Sequence, residues 1–295
     1  MTGKPASDNL RGALFMVAAM GAFAVEDALF KSVAASFPPG RATVLFGLTG
    51  LAIFAVWSWL AGEQVLVREM VRPRLLIRSA IEIGGRLFFA LALAFAPLAT
   101  TSAILQATPL VVIAGASVLL GTRVSPSRWL AVGLGFVGVL MVIRPTPAEF
   151  DATALFAVAG MIGFAGRDLA TRMSPPAVTA RQLGILGFAV VTMAGLILSL
   201  WDTAPLRWPT ASEALRLGLT GAVGVAAYQS LTLAMRTGDV PVVTPFRYSR
   251  LLFALVFAVV LFDERLDLWS LAGMALIVAT GLFALLPVAN RRARP

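Results

Sequence analysis

Residues 13–31 read ALFMVAAMGAFAVEDALFK, and residues 154–172 read ALFAVAGMIGFAGRDLATR. The two stretches align without a gap at an offset of 141, and nine of their nineteen positions are identical. Apolar composition alone supplies a few such matches, but it does not place Asp27 opposite Asp168, or one basic residue opposite another at the last position. A weaker match at an offset of 142 continues through the later segments. The chain therefore contains an internal repeat.

The composition places both copies of the repeat in a membrane. The chain has 295 residues, of which 59% are hydrophobic and 13% are charged, whereas about a quarter of the residues of a soluble protein are charged. Apolar runs of ~20 residues, the length that crosses a bilayer as a helix, alternate with charged or Pro/Gly-containing turns. They lie near residues 12–35, 42–61, 76–95, 98–119, 128–144, 153–172, 182–201, 214–235, 240–261 and 268–286. The sequence therefore predicts an all-α integral membrane protein with ten transmembrane helices and no room for a soluble domain.

Five spans per repeat is an odd number, and this decides how the two copies are oriented. A second repeat that follows five spans enters the membrane from the opposite side. Residues 1–147 and 148–295 are therefore expected to be inverted five-helix repeats, related by a pseudo-two-fold axis in the membrane plane. This architecture is typical of secondary transporters, which bind substrate near the middle of the membrane at the repeat interface. We expect the ten helices to surround a central cavity.

The 24 Lys and Arg residues orient the chain. With the N-terminus inside, fourteen cations, among them Arg78, are assigned to cytoplasmic loops and tails, and five to the opposite side. The positive-inside rule then places both termini in the cytoplasm. We expect a multi-pass protein of a bacterial inner membrane, in contact with the lipid bilayer and a small-molecule substrate. Because one chain supplies both repeats, we expect a monomer.

Several classes of chemistry are excluded by residue types that the sequence lacks. It has no Cys and no His, which removes disulfides, thiolate or imidazole metal sites and a histidine general base. It has no Gly-x-x-x-x-Gly-Lys-[Ser/Thr] motif, so P-loop nucleotide hydrolysis is excluded. The formal charge of +9 is explained by loop cations rather than by nucleic-acid binding. We expect no cofactor and no metal, and we favour a carrier over an intramembrane enzyme.

Three segments carry a resemblance to a known family. They are FAVEDALFK at 23–31, APLATTSAILQATP at 96–109 and TPFRYSR at 244–250. Together with the five-plus-five arrangement, they resemble the EamA type of the drug/metabolite transporter superfamily, which includes YddG-type amino-acid exporters and S-adenosylmethionine-type carriers. The resemblance implies a ten-helix basket around a central cavity. The chain departs from the family at residues 121–123, where Gly-Thr-Arg replaces the acidic end that is common for the fourth helix.

Nine ionisable side chains lie within the predicted spans. Each costs about 2.5–3.5 kcal/mol at the centre of a bilayer, so they must share an interior that is polar, hydrated or paired. They are Glu26, Asp27, Lys31, Glu82, Arg86, Arg167, Asp168, Arg247 and Arg250. Spacing by four residues predicts the pairs Asp27–Lys31, Glu82–Arg86 and Asp168–Arg172. Arg247 and Arg250 need partners from other helices or from substrate.

The charges also indicate a substrate class. The repeat alignment places Glu26 opposite Arg167, so one half of the cavity is expected to be acidic and the other basic, which suits a zwitterion. We predict that Arg247, Arg250 or Arg86 receives the substrate carboxylate, and that Glu26 or Asp27 receives its amine. The predicted cavity residues are Glu26, Asp27, Glu82, Arg86, Gln106, Arg167, Asp168, Tyr228, Gln229, Arg247, Tyr248 and Arg250. The two tyrosines are equally well explained by packing, with the hydroxyl bonded to a carbonyl.

Pro109 in the fourth span and Pro245 in the ninth are the predicted hinges. Each lacks the amide hydrogen that would bond the carbonyl four residues earlier. Proline-interrupted spans at corresponding positions of two repeats point to the substrate site and to bending during alternating access. Static kinks explain them equally well.

The leading functional prediction is a secondary transporter that moves amino acids or similar small zwitterionic metabolites, in the direction of export. The alternatives are uptake of S-adenosylmethionine-like metabolites, proton-coupled drug efflux and, less favoured, an intramembrane enzyme. The resemblance of the first span to small multidrug resistance proteins implies a proton antiport role for Glu26 and Asp27, and permanent ion pairing explains the same residues. The exact substrate, the direction and the coupling stay open at this point.

Overall fold

The computed structural model describes residues 5–34, 36–95, 101, 104–144, 152–262 and 268–285, and these residues form helices and turns without a strand. Within this part of the chain, helices of twelve residues or more are labelled in chain order. They are α1 Ala6–Ala34, α2 Pro39–Leu60, α3 Pro73–Phe95, α4 Thr108–Leu119, α5 Pro126–Ile143, α6 Ala154–Arg172, α7 Ala180–Ser199, α8 Ala211–Thr237, α9 Ser249–Phe262 and α10 Leu268–Leu285. Shorter elements are a 3-10 turn at Arg68–Val71, a helical turn at Val240–Val243 and a 3-10 turn at Thr244–Tyr248.

Six of the helices in the described residues are long and apolar enough to cross a membrane, namely α1, α2, α5, α6, α7 and α8. Shorter apolar helices lie at Ile104–Leu119 and Leu271–Leu285. The prediction of an all-α, multi-pass membrane protein is therefore confirmed. That the chain crosses the membrane ten times stays a prediction. The fourth and ninth spans are interrupted, and α3 carries four charged residues along its length, namely Arg74, Arg78, Glu82 and Arg86.

The helix contacts pair the two repeats with each other. α1 packs on α8 and α3 packs on α6, and these interfaces are equivalent because α6 and α8 are the repeat counterparts of α1 and α3. α2 packs on its own counterpart α7, and α5 on α10. The α2–α7 pair is antiparallel, since Gly47 lies against Thr192 and Gly184 against Phe54. These contacts have the symmetry of a two-fold axis perpendicular to the helices.

Local sequence explains where these helices begin and how closely they pack. Capping boxes start α7 at Thr179 and α8 at Thr210, each with a side chain three residues later that bonds back to the cap. Where α3 crosses α6, a Cβ atom on Gly163 would overlap the backbone at Gly85. Only glycine allows this approach, as small residues do in membrane bundles generally. The crossing brings Glu82 of α3 next to α6.

Both predicted hinge prolines lie where a span is interrupted. α4 begins at Thr108 with Pro109 in its first turn, directly after a turn at Ala107. In the other repeat, Pro245 lies in the 3-10 turn Thr244–Tyr248 that precedes α9. Proline is compatible with a first turn because the amide hydrogen there has no intrahelical partner. Bending at these positions during transport stays a prediction.

One interface differs between the repeats. The C-terminal end of α6 is tied to that of α8, because Arg172 donates from Nη1 to the main-chain oxygens of Met235 at 3.0 Å and Arg236 at 2.9 Å. The equivalent ends belong to α1 and α3, which share no comparable interface among the described residues. Lys31, the counterpart of Arg172, is exposed. Among the described residues, hydrogen bonds therefore connect the helix ends of α6 and α8, and none connects those of α1 and α3.

Candidate functional site

Glu82 of α3 is the centre of a buried charged cluster. Its side chain is fully buried, and its carboxylate lies 3.4 Å from Nη2 of Arg78, 3.5 Å from Nη2 of Arg86 and 3.5 Å from Nη1 of Arg167. The hydroxyl of Tyr228 donates to the same carboxylate at 3.2 Å. The predicted Glu82–Arg86 pair therefore forms. A carboxylate shared among three guanidinium groups is already compensated by the protein, which leaves Glu82 little capacity to bind a further cation.

The assignment of Arg78 to a cytoplasmic loop is wrong. α3 begins at Pro73, and Arg78 is fully buried. Its Nε donates to Oγ1 of Thr171 at 3.2 Å, and its Nη2 donates to the hydroxyl of Tyr228. Positions 78, 82 and 86 are four residues apart and so lie on one helix face. That spacing is the signal in the sequence that identifies Arg78 as part of the cluster.

Asp168 of α6 forms a second buried centre. Its side chain is 1% exposed, and its Oδ1 accepts from Nε of Arg167 at 3.0 Å and from Nη2 at 2.8 Å. Its Oδ2 accepts from Arg247, which lies in the 3-10 turn before α9. The predicted Asp168–Arg172 pair is wrong, because Arg172 bonds instead to main-chain oxygens at the end of α8. The Asp168–Arg247 ion pair therefore connects the interrupted ninth span to α6.

Asp27 of α1 accepts from Arg250 of α9, and this ion pair is more open than the others in the cluster. The side chains of Asp27 and Arg250 are 55% and 40% exposed. The guanidinium of Arg250 also lies over the ring of Phe23, 5.5 Å from its centroid. The predicted Asp27–Lys31 pair is wrong, because Asp27 takes this partner from another helix. Exposed charges within an apolar helix are tolerated where the helix faces a hydrated space rather than lipid.

Glu26, the residue before Asp27, has a buried carboxylate oxygen, Oε2, with no hydrogen-bond partner among the described residues. It faces α8 at Gly224, where an added Cβ atom would lie 3.1 Å from Oε2. Asp27, the next residue of α1, pairs with Arg250 of α9. A buried polar atom without a partner costs about 1–3 kcal/mol, and in a native structure it requires an explanation such as a missing ligand or water.

The remaining predicted site residues fall into two groups. Gln229 has a buried Oε1 and Arg86 a buried Nε that lack partners within the described residues, so both can still bind a ligand. Tyr248 is fully buried and donates its hydroxyl to the main-chain oxygen of Val132 at 3.2 Å. Gln106 lies half-buried before α4. Within the described residues, no contact brings Tyr248 or Gln106 to the charged cluster.

The cluster can act as a binding site for opposite charges. It contains four carboxylates and five guanidinium groups, namely Glu26, Asp27, Glu82, Asp168, Arg78, Arg86, Arg167, Arg247 and Arg250. Glu82 and Asp168 are compensated by buried arginines, whereas Oε2 of Glu26 has no partner among the described residues and the Asp27–Arg250 pair is open. In the described part of the chain, no group of three metal-ligating side chains lies together. Within the part of the chain that the structure describes, the available groups are Oε2 of Glu26 and the partly exposed guanidinium groups of Arg86 and Arg250.

Comparison with known proteins gives a family match over both repeats. A model of the EamA-like transporter family matches residues 10–144 and 151–286. The S-adenosylmethionine uptake transporter of Rickettsia conorii is 25% identical over 210 residues, which cover 70% of this chain and 70% of that protein. The riboflavin transporter of Rhizobium johnstonii is 26% identical over 96% of this chain and 94% of that protein.

Two further comparisons extend along most of the chain. The pseudopaline exporter of Pseudomonas aeruginosa is 24% identical over 90% of this chain and 93% of that protein. A solved crystal structure has a TM-score of 0.78 with 23% identity, over 92% of this chain and 96% of its own, and this likeness shows the fold alone. The named relatives differ in substrate and in the direction of transport.

Proposed function

Because the chain belongs to the EamA-like transporter family, as the sequence resemblance predicted, we propose that it is a secondary transporter for amino acids or similar small zwitterionic metabolites. Transport proceeds by alternating access across a bacterial inner membrane, in the direction of export. The family favours transport over the intramembrane enzyme. The relatives' names support uptake as well as export and differ in substrate. The substrate class therefore depends on the charged cluster.

The substrate class is inferred from the buried Oε2 of Glu26, which has no partner among the described residues, and from the partly exposed guanidinium groups of Arg86 and Arg250. Glu26 Oε2 can accept from a substrate ammonium without losing a partner in the protein. Arg250 is 40% exposed and Arg86 is 24% exposed, so either can receive a carboxylate. Charge-assisted hydrogen bonds of this kind contribute about 1.5–3 kcal/mol each. A zwitterion satisfies both ends of the site and leaves its net charge unchanged.

The balance of charge argues against a purely cationic substrate. With five guanidinium groups and four carboxylates, the cluster carries one excess positive charge when every group is ionised. A cation would enter against that charge, in surroundings of low dielectric where the interaction is strong. Drug-like organic cations are therefore the less favoured substrates. Proton coupling through Glu26 or Asp27 stays an alternative to facilitated diffusion.

The proposal includes the arrangement in the membrane. We assign ten spans, namely α1 to α8, the interrupted segment 240–262 and α10, grouped as inverted repeats 1–147 and 148–295. Both termini are cytoplasmic, and Pro109 and Pro245 are the hinges. A single chain supplies both repeats, so a monomer is sufficient to form the substrate pathway.

A second candidate is uptake of an S-adenosylmethionine-like metabolite. The similarity to the transporter of Rickettsia conorii over 70% of both chains favours it. The amino-acid end of such a molecule carries the same two charges as a free amino acid and would use the same groups. The two candidates therefore differ in how much space the site must provide for the rest of the substrate.

The test is uptake of labelled L-amino acids and of S-adenosylmethionine into liposomes that contain the purified protein, with and without a pH gradient. We expect uptake of amino acids by the wild type and a loss of about 10- to 100-fold in Glu26→Gln, because one charge-assisted hydrogen bond is removed. Glu69→Gln is the matched control, since Glu69 lies in the 3-10 turn between α2 and α3.

Three outcomes separate the candidates. Full amino-acid uptake by Glu26→Gln, with an unchanged melting temperature, would exclude Glu26 as the ammonium ligand. Uptake of S-adenosylmethionine without uptake of any amino acid would favour the second candidate. Uptake only under a pH gradient would add proton coupling to the mechanism.

A further inference from the structure

We propose that Asp27 substitutes for the substrate carboxylate when the carrier is empty: it neutralises Arg250, and an entering substrate carboxylate displaces it. This inference rests on the proposed function and assigns a role to a residue of the same site. Asp27 is a positioning residue in this scheme. It compensates the positive charge of Arg250 in the empty carrier and does not itself bind the substrate carboxylate.

The first observation is the contrast between two aligned aspartates. Asp168 is 1% exposed and accepts from both Arg167 and Arg247. Asp27 is 55% exposed and has the single described partner Arg250. Displacing Asp168 would leave two guanidinium groups buried without their counter-ion, at a large cost. Displacing Asp27 returns one carboxylate to a solvated position, so this is the pair that a ligand can open.

The second observation is the position of the pair. Phe23 and Asp27 are four residues apart on one face of α1, and Arg250 contacts both. Glu26, with its unpartnered oxygen, is the next residue along the same helix. A molecule whose carboxylate replaces Asp27 on Arg250 therefore lies in the same turn of α1 as Glu26, the proposed ligand of its ammonium. The exchange of partners and the capture of the ammonium occur in one place.

The Asp27–Arg250 pair determines whether the empty carrier can change its orientation. An arginine without a counter-ion inside the spans is costly, and that cost is greatest when the site is closed to water on both sides. With Asp27 in place, Arg250 is neutralised in the empty carrier, which can therefore change its orientation without substrate. Without Asp27, Arg250 is neutralised only when a substrate carboxylate is bound. Removing the charge of Asp27 should thus convert a carrier that returns empty into an obligatory exchanger.

The experiment compares wild type, Asp27→Asn and Asp27→Glu in liposomes, with a labelled mixture of the standard L-amino acids as the probe. Exchange is measured with unlabelled amino acids inside the liposomes, and net uptake is measured without them. We expect Asp27→Asn to keep exchange, with a half-saturating concentration lowered about tenfold, and to lose at least about tenfold of net uptake. Asp27→Glu should restore net uptake. Equal losses of exchange and net uptake, or no change in either, would overturn the proposal.

A second measurement is independent of the proposed function. Purified wild type and Asp27→Asn are melted in sodium acetate and in sodium chloride of equal concentration. We expect acetate to raise the melting temperature of Asp27→Asn, and not that of the wild type, because acetate then takes the free place on Arg250. The double variant Asp27→Asn/Arg250→Gln should lose this response. If the wild type moves no amino acid, the proposed function fails and the acetate response alone decides the role of Asp27; identical responses of wild type and Asp27→Asn would refute it.

Discussion

α1 and α6 align residue for residue, yet their charged side chains have opposite surroundings. The aligned positions are Glu26 with Arg167, Asp27 with Asp168 and Lys31 with Arg172. On α6 all three have partners in the protein: Arg167 and Asp168 bond to each other, and Arg172 bonds to the end of α8. On α1, as far as the described residues show, the counterparts are a carboxylate with one unpartnered oxygen, an open ion pair and an exposed lysine.

The difference shows that equivalent helix packing in the two repeats does not require equivalent ion pairs. The backbone contacts pair the repeats almost symmetrically, because helix packing depends on small residues and apolar faces. The pairing of the charged side chains depends on which residue lies opposite each of them. The ninth span supplies Arg247 to α6 in a buried ion pair and Arg250 to α1 in a more exposed one. The charges of α6 are thus paired within the protein, whereas those of α1 are the ones that we propose for substrate binding.

The largest expected effect tests the contrast between the aligned aspartates. Asp168→Asn should lower the free energy of unfolding by about 3–5 kcal/mol, because Arg247 and Arg167 lose a buried counter-ion. Asp27→Asn should lower it by less than about 1 kcal/mol, since its ion pair is exposed. Tryptophan fluorescence during denaturation in detergent micelles measures both, with Asp168→Glu as the conservative control. Equal losses for the two asparagine variants would mean that both pairs are structural and that the contrast is wrong.

A smaller effect is expected at the last aligned position. Arg172→Gln should lower the free energy of unfolding by about 1–3 kcal/mol, because two main-chain oxygens at the end of α8 lose their donor. Lys31→Gln should leave it unchanged within error, as Lys31 is exposed. Arg172→Lys, which keeps a positive charge near the helix C-terminus, should be intermediate. A loss for Lys31→Gln as large as that for Arg172→Gln would show that the α1–α3 end is tied in a way that the described contacts do not include.

Much of the helical arrangement follows from the sequence. Apolar runs predicted the spans near 42–61 and 214–235, which correspond to α2 and α8, because hydrophobic length is a local property. The repeat offset predicted which helices are counterparts. The ends are less accurate: α1 begins at Ala6 rather than near residue 12, since a polar first turn carries no hydropathy signal.

The pairing of charges was less predictable, because it depends on contacts between helices. The four-residue rule predicted Glu82–Arg86 correctly and failed for Asp27 and Asp168, where arginines of the ninth span are the partners. Arg247 and Arg250 were predicted to take partners from other helices or from substrate, and the structure shows the first alternative. Burial of Tyr248 against α5 depends on a tertiary contact for which the sequence has no local signal.

The smallest expected effect compares the two ends of the α2–α7 pair, which the repeat makes equivalent. At the end nearer to Arg172, Arg181 bonds to Glu63, and Thr179 donates to the same carboxylate at 2.9 Å. At the other end Nε of Arg41 lies 3.9 Å from Oδ2 of Asp202, which accepts instead from the main-chain N–H of Arg41 at 2.9 Å. The hydrogen bond from Arg181 lowers the pKa of Glu63 below its usual range. The Glu63–Arg181 end is therefore expected to make stability depend on the pH through this carboxylate.

The sign of that dependence follows from the lowered pKa of Glu63. The folded protein binds a proton at Glu63 less readily than the unfolded chain, so the ion pair stabilises the fold above the unfolded pKa of about 4.3, and this stabilisation is lost as the pH falls through the lower folded value. Because both side chains are partly exposed, the effect should stay below about 1 kcal/mol. Melting temperatures between about pH 7 and about pH 3 should fall more steeply for wild type than for Glu63→Gln or Arg181→Gln. Parallel curves for wild type and Glu63→Gln would show that the pair adds nothing to the tied end, and the difference between the two repeats would then depend on Arg172 and the α6 cluster alone.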